Sequence, residues 1–142
     1  MSEAGAGRGE ALDLAVRALR HRDRAAADVD ARLERAGVDE DERRETLEAL
    51  QRLGYVDDER FAAARARTLA ARGKADEAIL FDLRRHGVTA EEAKVALATL
   101  EPERARAEAI VAARGPGLAT ARFLARRGFG ADAVEAAVAP DP

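Results

Sequence analysis

Side chains that could carry out covalent or acid–base chemistry are few in this chain, and they stand apart from one another. The 142 residues include no Cys, one Tyr and two His. The hydroxyl groups are those of Ser2, Tyr55 and five Thr, and a hydroxyl nucleophile needs a base beside it. His21 and His86 end Arg-rich stretches without neighbours at metal-ligand spacing, so we expect them to be solvated or to cap helices. The sequence therefore predicts a protein that is not an enzyme, with no catalytic residue, no metal and no cofactor.

Arginine is the functional side chain that this chain has in excess. Of the 24 basic residues, 22 are Arg, which is suited to bidentate contacts with carboxylates or phosphates. For a single pair, the alternative is that the guanidinium groups complement a helix C-terminus. The recurrence of such groups favours a contact surface, whereas the carboxylates interleaved with them weaken a nucleic-acid interpretation. The residues predicted to bind a macromolecular partner are Arg65, Arg67, Arg72, Arg84, Arg85, Arg122, Arg126 and Arg127.

Helices must position these arginines, because Ala, Leu, Arg and Glu dominate the sequence and strand-forming residues are sparse. One motif recurs fifty residues apart and again in the last part of the chain. Its three copies are Leu33, Gly37, Val38, Leu47 and Leu50, then Leu83, Gly87, Val88, Leu97 and Leu100, then Leu124, Gly128, Phe129 and Val138. Units that cannot bury their apolar faces alone recur in this way. Each copy spans two helices joined at the Gly.

One further helix precedes each pair, near residues 11–22, 57–72 and 102–114. The sequence therefore predicts an all-α fold of three tandem three-helix repeats in an elongated array. The predicted repeats cover residues 11–54, 55–100 and 101–139, between a disordered tail over residues 1–10 and a short tail over residues 140–142.

The apolar residues at helical spacing predict the core. Phe81 does not fit the stripe that Ile79, Leu80 and Leu83 form on its helix. We favour Phe81 in the seam between repeats, and the alternative is an exposed anchor for a partner. The other residues predicted to be buried include Leu97, Leu124 and the face of the third helix formed by Leu47, Leu50 and Leu53.

The net charge, the absence of Cys and the lack of long apolar segments together bear on where the protein is found in the cell. The net charge is −3, and there is no Cys for a disulfide or a thiolate site. The first ten residues have no apolar signal region, and no window is apolar enough to span a bilayer. We therefore expect a cytoplasmic monomer that does not bind a membrane.

Two separate motifs resemble those of the bacterial RecX regulatory proteins, which bind and modulate the RecA recombinase. The first is Leu53-Gly54-Tyr55-Val56-Asp57-Asp58-Glu59-Arg60-Phe61-Ala62, which is similar to the family's junction between its first two units. The second is Arg122-Phe123-Leu124-Ala125-Arg126-Arg127-Gly128-Phe129, which resembles its closing motif. The likeness spans about residues 11 to 139.

The resemblance implies an elongated, curved molecule of three three-helix units and a non-enzymatic regulator of recombination, DNA repair and the SOS response. Such a protein would lie in the groove of a RecA filament and hinder filament growth, strand exchange and RecA-stimulated repressor cleavage. It implies contact with RecA and allows contact with single-stranded DNA. In this chain Ala25 replaces the Ser expected to cap the second helix, with Asp23 the nearest substitute, and the stretch from Lys74 to Glu77 is more acidic than usual.

Two other functions stay open at the level of the sequence. A direct nucleic-acid-binding helical module would show binding to single-stranded DNA that falls steeply with salt. A generic helical scaffold for another protein is what the repeat alone would indicate.

Overall fold

The computed structural model describes residues 8–20 and 22–139, and in these ranges the chain forms nine α-helices and no strand. The helices are α1 (Arg8–Leu19), α2 (Ala26–Arg35), α3 (Glu40–Arg52), α4 (Asp58–Ala71), α5 (Asp76–Arg85), α6 (Ala90–Ala98), α7 (Glu103–Arg114), α8 (Leu118–Arg126) and α9 (Ala131–Val138). The all-α helical repeat fold predicted from the sequence is confirmed.

The described chain divides into two compact units. Unit 1 comprises the described residues up to Phe61 together with His86–Val88, and unit 2 comprises Ala62–Arg85 together with the described residues from Thr89 onward. In unit 1, helices α1, α2 and α3 pack on one another; in unit 2, α5 packs on α6, and α7, α8 and α9 pack on one another.

The Gly of the recurring motif ends a helix in the same way in each copy. Gly37, Gly87 and Gly128 have φ angles of 85°, 81° and 94°, a left-handed conformation that glycine adopts without strain. In two copies the next residue donates back to the helix, from Val38 N to Leu33 O and from Phe129 N to Leu124 O, both at 3.0 Å. These bonds turn the chain, and the apolar residue after the Gly is buried in every copy.

The core of unit 1 is built from α1, α2 and α3. Val29, Leu33 and Leu50 are fully buried, and Leu47 is half-buried against them. Leu53 is 66% exposed, so its prediction as a core residue was wrong. The reason is that α3 ends at Arg52 and Leu53 is its C-cap, beyond the last turn that faces α2.

His86 also belongs to unit 1, where its Nδ1 lies 2.8 Å from Oδ2 of Asp28. Its ring centroid lies 5.4 Å from that of Phe61. The next residue, Gly87, packs so closely on α2 that a Cβ there would lie 2.6 Å from Cβ of Ala27. The short segment from residue 86 to 88 is therefore held on α2, and His86 is not simply solvated.

The start of α2 is capped from a distant part of the sequence. Ala25 has no side chain that could cap the helix, and the amide of Ala26 donates to Oδ1 of Asp58 at 2.8 Å. Asp23, which we expected to cap α2, instead accepts two hydrogen bonds from Arg60, at 3.2 and 3.1 Å. Arg60 also donates to the carbonyl of Gly54 at 3.0 Å. Arg60 of the junction motif therefore links the turn after α3 to the segment that precedes α2.

The core of unit 2 contains Ile79, Leu83 and Leu124, all fully buried as their helical spacing indicated. Leu97 is only half-buried, because Ala93 and Ala96 form the buried face of α6. The predicted core position of Leu97 is therefore corrected to the edge of the apolar face.

The N-terminal end of the described chain differs from the expected tail. Helix α1 begins at Arg8, so residues 8–10 are helical, whereas the sequence predicts a disordered tail there. It ends at Leu19 rather than near residue 22, and Nε of Arg24 donates to the carbonyl of Ala18 at 2.7 Å. The rest of the expected N-terminal tail, His21 and residues 140–142 lie outside the described residues.

Candidate functional site: a cationic face of unit 2

Arg65, the first of the predicted contact residues, forms an ion pair within unit 2. Its Nε and Nη2 donate to the two carboxylate oxygens of Asp82, at 2.8 and 2.9 Å. Both side chains are largely shielded from solvent, with 30% and 15% exposed. This bidentate pair joins α4 to α5, so Arg65 positions the two helices rather than presenting a free cation.

Phe81 lies on the exposed side of α5. Ile79 and Leu83, two residues before and after it, are fully buried, and a displacement of two residues on a helix leads to the opposite side. The ring is consequently 67% exposed, and Cζ of Arg85 lies 5.9 Å from its centroid. The preferred expectation, that Phe81 fills a seam between repeats, was wrong, and the alternative of an exposed ring is what the structure contains.

A shallow cleft of about 390 Å³ opens beside this ring, and we call it the Phe81 cleft. Lys74 and Arg85 supply its positive charge, while Asp82 is already bound by Arg65. The cleft is lined by Leu69, Lys74, Glu77, Ala78, Phe81, Asp82, Arg85 and Gly128. It combines an apolar floor, one exposed aromatic ring, two cations and the exposed carboxylate of Glu77.

The end of α8 is joined to the turn that precedes α5. The amide of Ala75 donates to the carbonyl of Arg127 at 3.0 Å, and a Cβ on Gly128 would lie 3.5 Å from Cβ of Ala78. The closing motif therefore reaches the edge of the Phe81 cleft, and unit 2 brings Arg127 and Lys74 to the same region.

Arg65 and Arg85 have been described, and six of the arginines predicted to bind a partner remain. Five of these six side chains are exposed and one is half-buried. Arg127 is half-buried because its guanidinium lies over the ring of Phe123, with Cζ 4.7 Å from the centroid. Among the described residues none of the six forms an ion pair. The exposed five are Arg67, Arg72, Arg84, Arg122 and Arg126.

Sequence reasoning missed Lys74, Arg114 and Phe123 as parts of this face. Cζ of Arg114 lies 3.9 Å from the centroid of Phe123, closer than that of Arg127. Arg114 stands alone in the sequence, directly before Gly115, so only its position at the end of α7 could have drawn attention to it.

Two acidic residues, Asp76 and Glu77, follow Lys74 closely in the sequence. Glu77 lines the Phe81 cleft, whereas Asp76 is bound elsewhere in unit 2. Asp76 is paired with Arg106, whose Nη1 lies 2.8 Å from Oδ1, and the amide of Asp76 donates to Oε1 of Glu103 at 2.9 Å. The unusual acidity of this stretch is therefore partly used to attach α5 to α7.

Within residues 8–20 and 22–139, no three His, Asp or Glu side chains are grouped so that they could hold a metal ion. No helix in the same part of the chain is long and apolar enough to cross a bilayer.

Comparison with known families and proteins gives one consistent result. The family model described as "RecX, second three-helix domain" matches residues 57–97. The regulatory protein RecX of Halorhodospira halophila is 37% identical over 149 residues, covering 98% of this chain and 92% of the relative. The regulatory protein RecX of Syntrophotalea carbinolica is 39% identical over 102 residues, covering 71% of this chain and 67% of the relative.

Solved structures share the fold at lower sequence identity. A crystal structure of RecX from Lactobacillus salivarius aligns with a TM-score of 0.76 and 19% identity, over 92% of this chain and 94% of that one. A crystal structure of a regulatory protein RecX aligns with a TM-score of 0.74 and 20% identity, over 90% of this chain and 70% of that one.

Proposed function

The chain belongs to the RecX family of regulatory proteins, and we propose that it binds the RecA recombinase filament and inhibits its activities by occupying the filament groove. The observation that carries this proposal is the Phe81 cleft, where an exposed aromatic ring lies beside two cations. The proposed regulator would act in the cytoplasm as a monomer.

An exposed Phe is well suited to anchor a protein contact. Large apolar rings that are buried only on binding contribute much of the energy of protein interfaces, and neighbouring charges select the partner. Phe81 is among the largest exposed apolar side chains of the described chain, and Arg85 holds a cation close to its ring. Burial of this ring against RecA would stabilise the complex, while Lys74 and Arg85 would select an acidic part of the RecA surface.

The predicted arginines extend this contact surface. We propose that Arg67, Arg72, Arg84, Arg85, Arg122, Arg126 and Arg127 face the filament, and that Arg65 supports them by holding Asp82. Cations beside an apolar anchor, as Lys74 and Arg85 are beside Phe81, would steer the regulator toward an acidic surface and make association weaker at high salt.

The mechanism that we propose needs no chemical step. A protein lodged in the groove would block the addition of RecA subunits and the movement of DNA strands as long as it remained bound. Inhibition should therefore saturate at a fixed ratio of regulator to RecA, which distinguishes a bound inhibitor from an enzyme that turns over.

The test is the rate of ATP hydrolysis by RecA on single-stranded DNA, measured while the regulator is titrated. We expect the rate to fall and to level off at a fixed ratio. Phe81→Ala should require about tenfold more protein for the same inhibition, a shift typical of the removal of an anchor residue. Val95→Ala, which truncates a similarly exposed apolar residue on α6, is the matched control and should behave as the unaltered protein. Equal inhibition by both variants would reject the Phe81 cleft as the contact.

A further inference from the structure

A second cleft of unit 2 lies between α7 and α9, and it shares no residue with the Phe81 cleft. It holds about 670 Å³, and we call it the α7–α9 groove. The apolar side chains that line it are small, and they are Ala107, Val111, Ala131, Ala133 and Ala136. None of the arginines predicted to bind a partner lines this groove.

The groove is wide because α9 has Ala where the corresponding helix of the first repeat has Glu. Residues of the first and last copies of the motif correspond at an offset of 91 residues, which relates Leu33 to Leu124. At three such positions the last copy has Ala131, Ala133 and Ala136 in place of Glu40, Glu42 and Glu45. The cleft between α1 and α3, which Glu45 lines, holds only about 290 Å³. A floor of small side chains lets the backbone of another helix approach closely.

The floor of the groove is fixed by the core of unit 2. Ala107 is buried, and Val111 and Ala133 pack against the core that α7, α8 and α9 share. The start of α7 is also held, because Arg106 donates to Oδ1 of Asp76 at 2.8 Å and to the carbonyl of Lys74 at 3.1 Å. The groove is therefore formed before a partner arrives, which lowers the entropic cost of binding.

The edges of the groove are acidic. Glu103, Glu108 and Asp132 line it together with one cation, Arg104. Nε of Arg104 lies 3.2 Å from Oε1 of Glu108, but the two side chains are 91% and 68% exposed, so this pair contributes little and a partner cation can replace it. Within residues 8–20 and 22–139, Asp132 forms no ion pair. From residue 128 to residue 139 the chain has two carboxylates and no cation.

The helix dipole explains part of this acidity but not the groove. Glu103 and Asp132 stand in the first turns of α7 and α9, where a carboxylate is favoured by the dipole. Glu108 lies in the second turn of α7, and the dipole places no requirement on the Ala floor beside it. An apolar floor open to water stabilises nothing until another apolar surface covers it.

We propose that the α7–α9 groove binds an α-helix of a further protein, with small apolar side chains on one face of that helix and Lys or Arg on its flanks. The apolar face would lie on the Ala floor, as in other complexes in which a helix occupies a groove. The flanking cations would pair with Glu108 and Asp132. Carboxylates at the edges repel nucleic acids and anionic lipids, so the charge selects a cationic protein segment. The site does not depend on the proposed contact with RecA, which uses cations of this chain.

The probe for this site is a labelled helical peptide of about 15 residues with Ala and Leu on one face and Lys on both flanks. Its fluorescence anisotropy is measured while the protein is titrated. A second peptide has the same composition in an order that spreads Lys and Leu around the helix. We expect the first peptide to bind at least about tenfold more tightly than the second, because only the first can bury its apolar face while its cations reach the edges. Equal binding of the two peptides, or binding of neither, would overturn the proposal.

Two variants test the floor and the edges separately. Ala136→Gln places a long uncharged side chain on the floor and should weaken peptide binding about tenfold, whereas Ala112→Gln, at an exposed position of α7 outside the groove, should not. Glu108→Gln with Asp132→Asn removes two charges at constant shape and should also weaken binding. Its control is Glu91→Gln with Glu135→Gln, which changes the net charge equally at exposed positions outside the groove. If either groove variant melts like its control and binds the peptide equally well, the proposal is wrong.

Two further measurements identify the occupant. Sedimentation equilibrium should show no association of the protein with itself; association that Ala136→Gln abolishes would mean that the groove takes a second copy. Ala136→Gln should inhibit ATP hydrolysis by RecA as the unaltered protein does, and its loss of inhibition would assign the groove to RecA instead of a further protein. Phe81→Ala should bind the peptide normally while inhibiting RecA poorly. The failure of this proposal is thus distinguishable from the failure of the proposed function.

Discussion

Both carboxylate oxygens of Asp82 accept hydrogen bonds from Arg65, at 2.8 Å from Nε and 2.9 Å from Nη2. The pair joins the middle of α4 to α5, the helix that carries Phe81. A fork of this kind fixes direction as well as distance, because two parallel bonds prevent the side chains from rotating. One arginine that the sequence marks for partner binding is therefore part of the support for the contact surface.

Arg65→Lys should destabilise the protein although it keeps the charge. An ammonium group cannot make two parallel bonds to Asp82, and the pair is shielded enough from solvent for its removal to cost about 1 to 2 kcal/mol. Urea denaturation followed by circular dichroism gives this value. Arg67→Lys is the control, because Arg67 is exposed on the same helix and should cost almost nothing. Equal stability of the two variants would show that the fork is not used in folding.

Gly87→Ala and Gly54→Ala test the close approach between residue 87 and α2. The two glycines have nearly the same φ, 81° and 80°, so an added Cβ strains the backbone about equally, by roughly 1 kcal/mol. A Cβ at Gly87 would also lie 2.6 Å from Cβ of Ala27, whereas a Cβ at Gly54 meets nothing within 4 Å. Thermal unfolding should show Gly87→Ala less stable than Gly54→Ala by about 1 kcal/mol or more.

Ala27→Gly provides the rescue for this pair. Introduced with Gly87→Ala, it removes the atom that the new Cβ would meet, so part of the stability should return despite the lower helix propensity of Gly. If Gly87→Ala and Gly54→Ala melt alike, the packing of residues 86–88 on α2 is not as described.

The recurring motif could be predicted from the sequence because its physical cause is local. A Leu, a left-handed Gly four residues later and a following apolar residue together define a helix end, and all three copies form it. Phe81 could not be placed in the same way. The spacing of Ile79 and Leu83 showed that Phe81 points elsewhere, but whether another element covers it depends on tertiary packing.

The cap of α2 could not be predicted from the sequence, because the residue that accepts its hydrogen bond is remote in sequence. Nothing near Ala25 indicates that Asp58, 32 residues after Ala26, accepts the hydrogen bond of that amide. The pairing of Arg114 with Arg127 on Phe123 has the same character. Local rules were enough for the helices and the turns, while the contacts that assemble the candidate site needed the fold.

Asp58→Ala should destabilise unit 1 because it removes the acceptor of the hydrogen bond from the amide of Ala26. The expected decrease is about 1 kcal/mol, the usual value of an N-cap, measured as the free energy of unfolding in urea. Asp58→Asn keeps a side-chain oxygen and should retain most of the stability. If Asp58→Asn were as unstable as Asp58→Ala, the carboxylate charge rather than the cap would be the cause.

Leu83→Asp and Phe81→Asp place the same charge on two sides of α5. Leu83 is fully buried, so an unpaired carboxylate there should cost about 3 kcal/mol or more. Phe81 is mostly exposed, and Phe81→Asp should leave the melting temperature nearly unchanged. Similar melting curves for the two variants would mean that the buried and exposed faces of α5 have been assigned wrongly.

The most direct test of the proposed function is co-sedimentation of the protein with RecA filaments assembled on single-stranded DNA, at a fixed moderate salt concentration. The unaltered protein and Val95→Ala should be found in the pellet with RecA. A double variant with Phe81→Ala and Arg85→Ala should remain in the supernatant, with an unchanged melting curve. Pelleting of the double variant to the same extent as the unaltered protein, or no pelleting of the unaltered protein, would contradict the proposal that this regulator binds the filament through the Phe81 cleft.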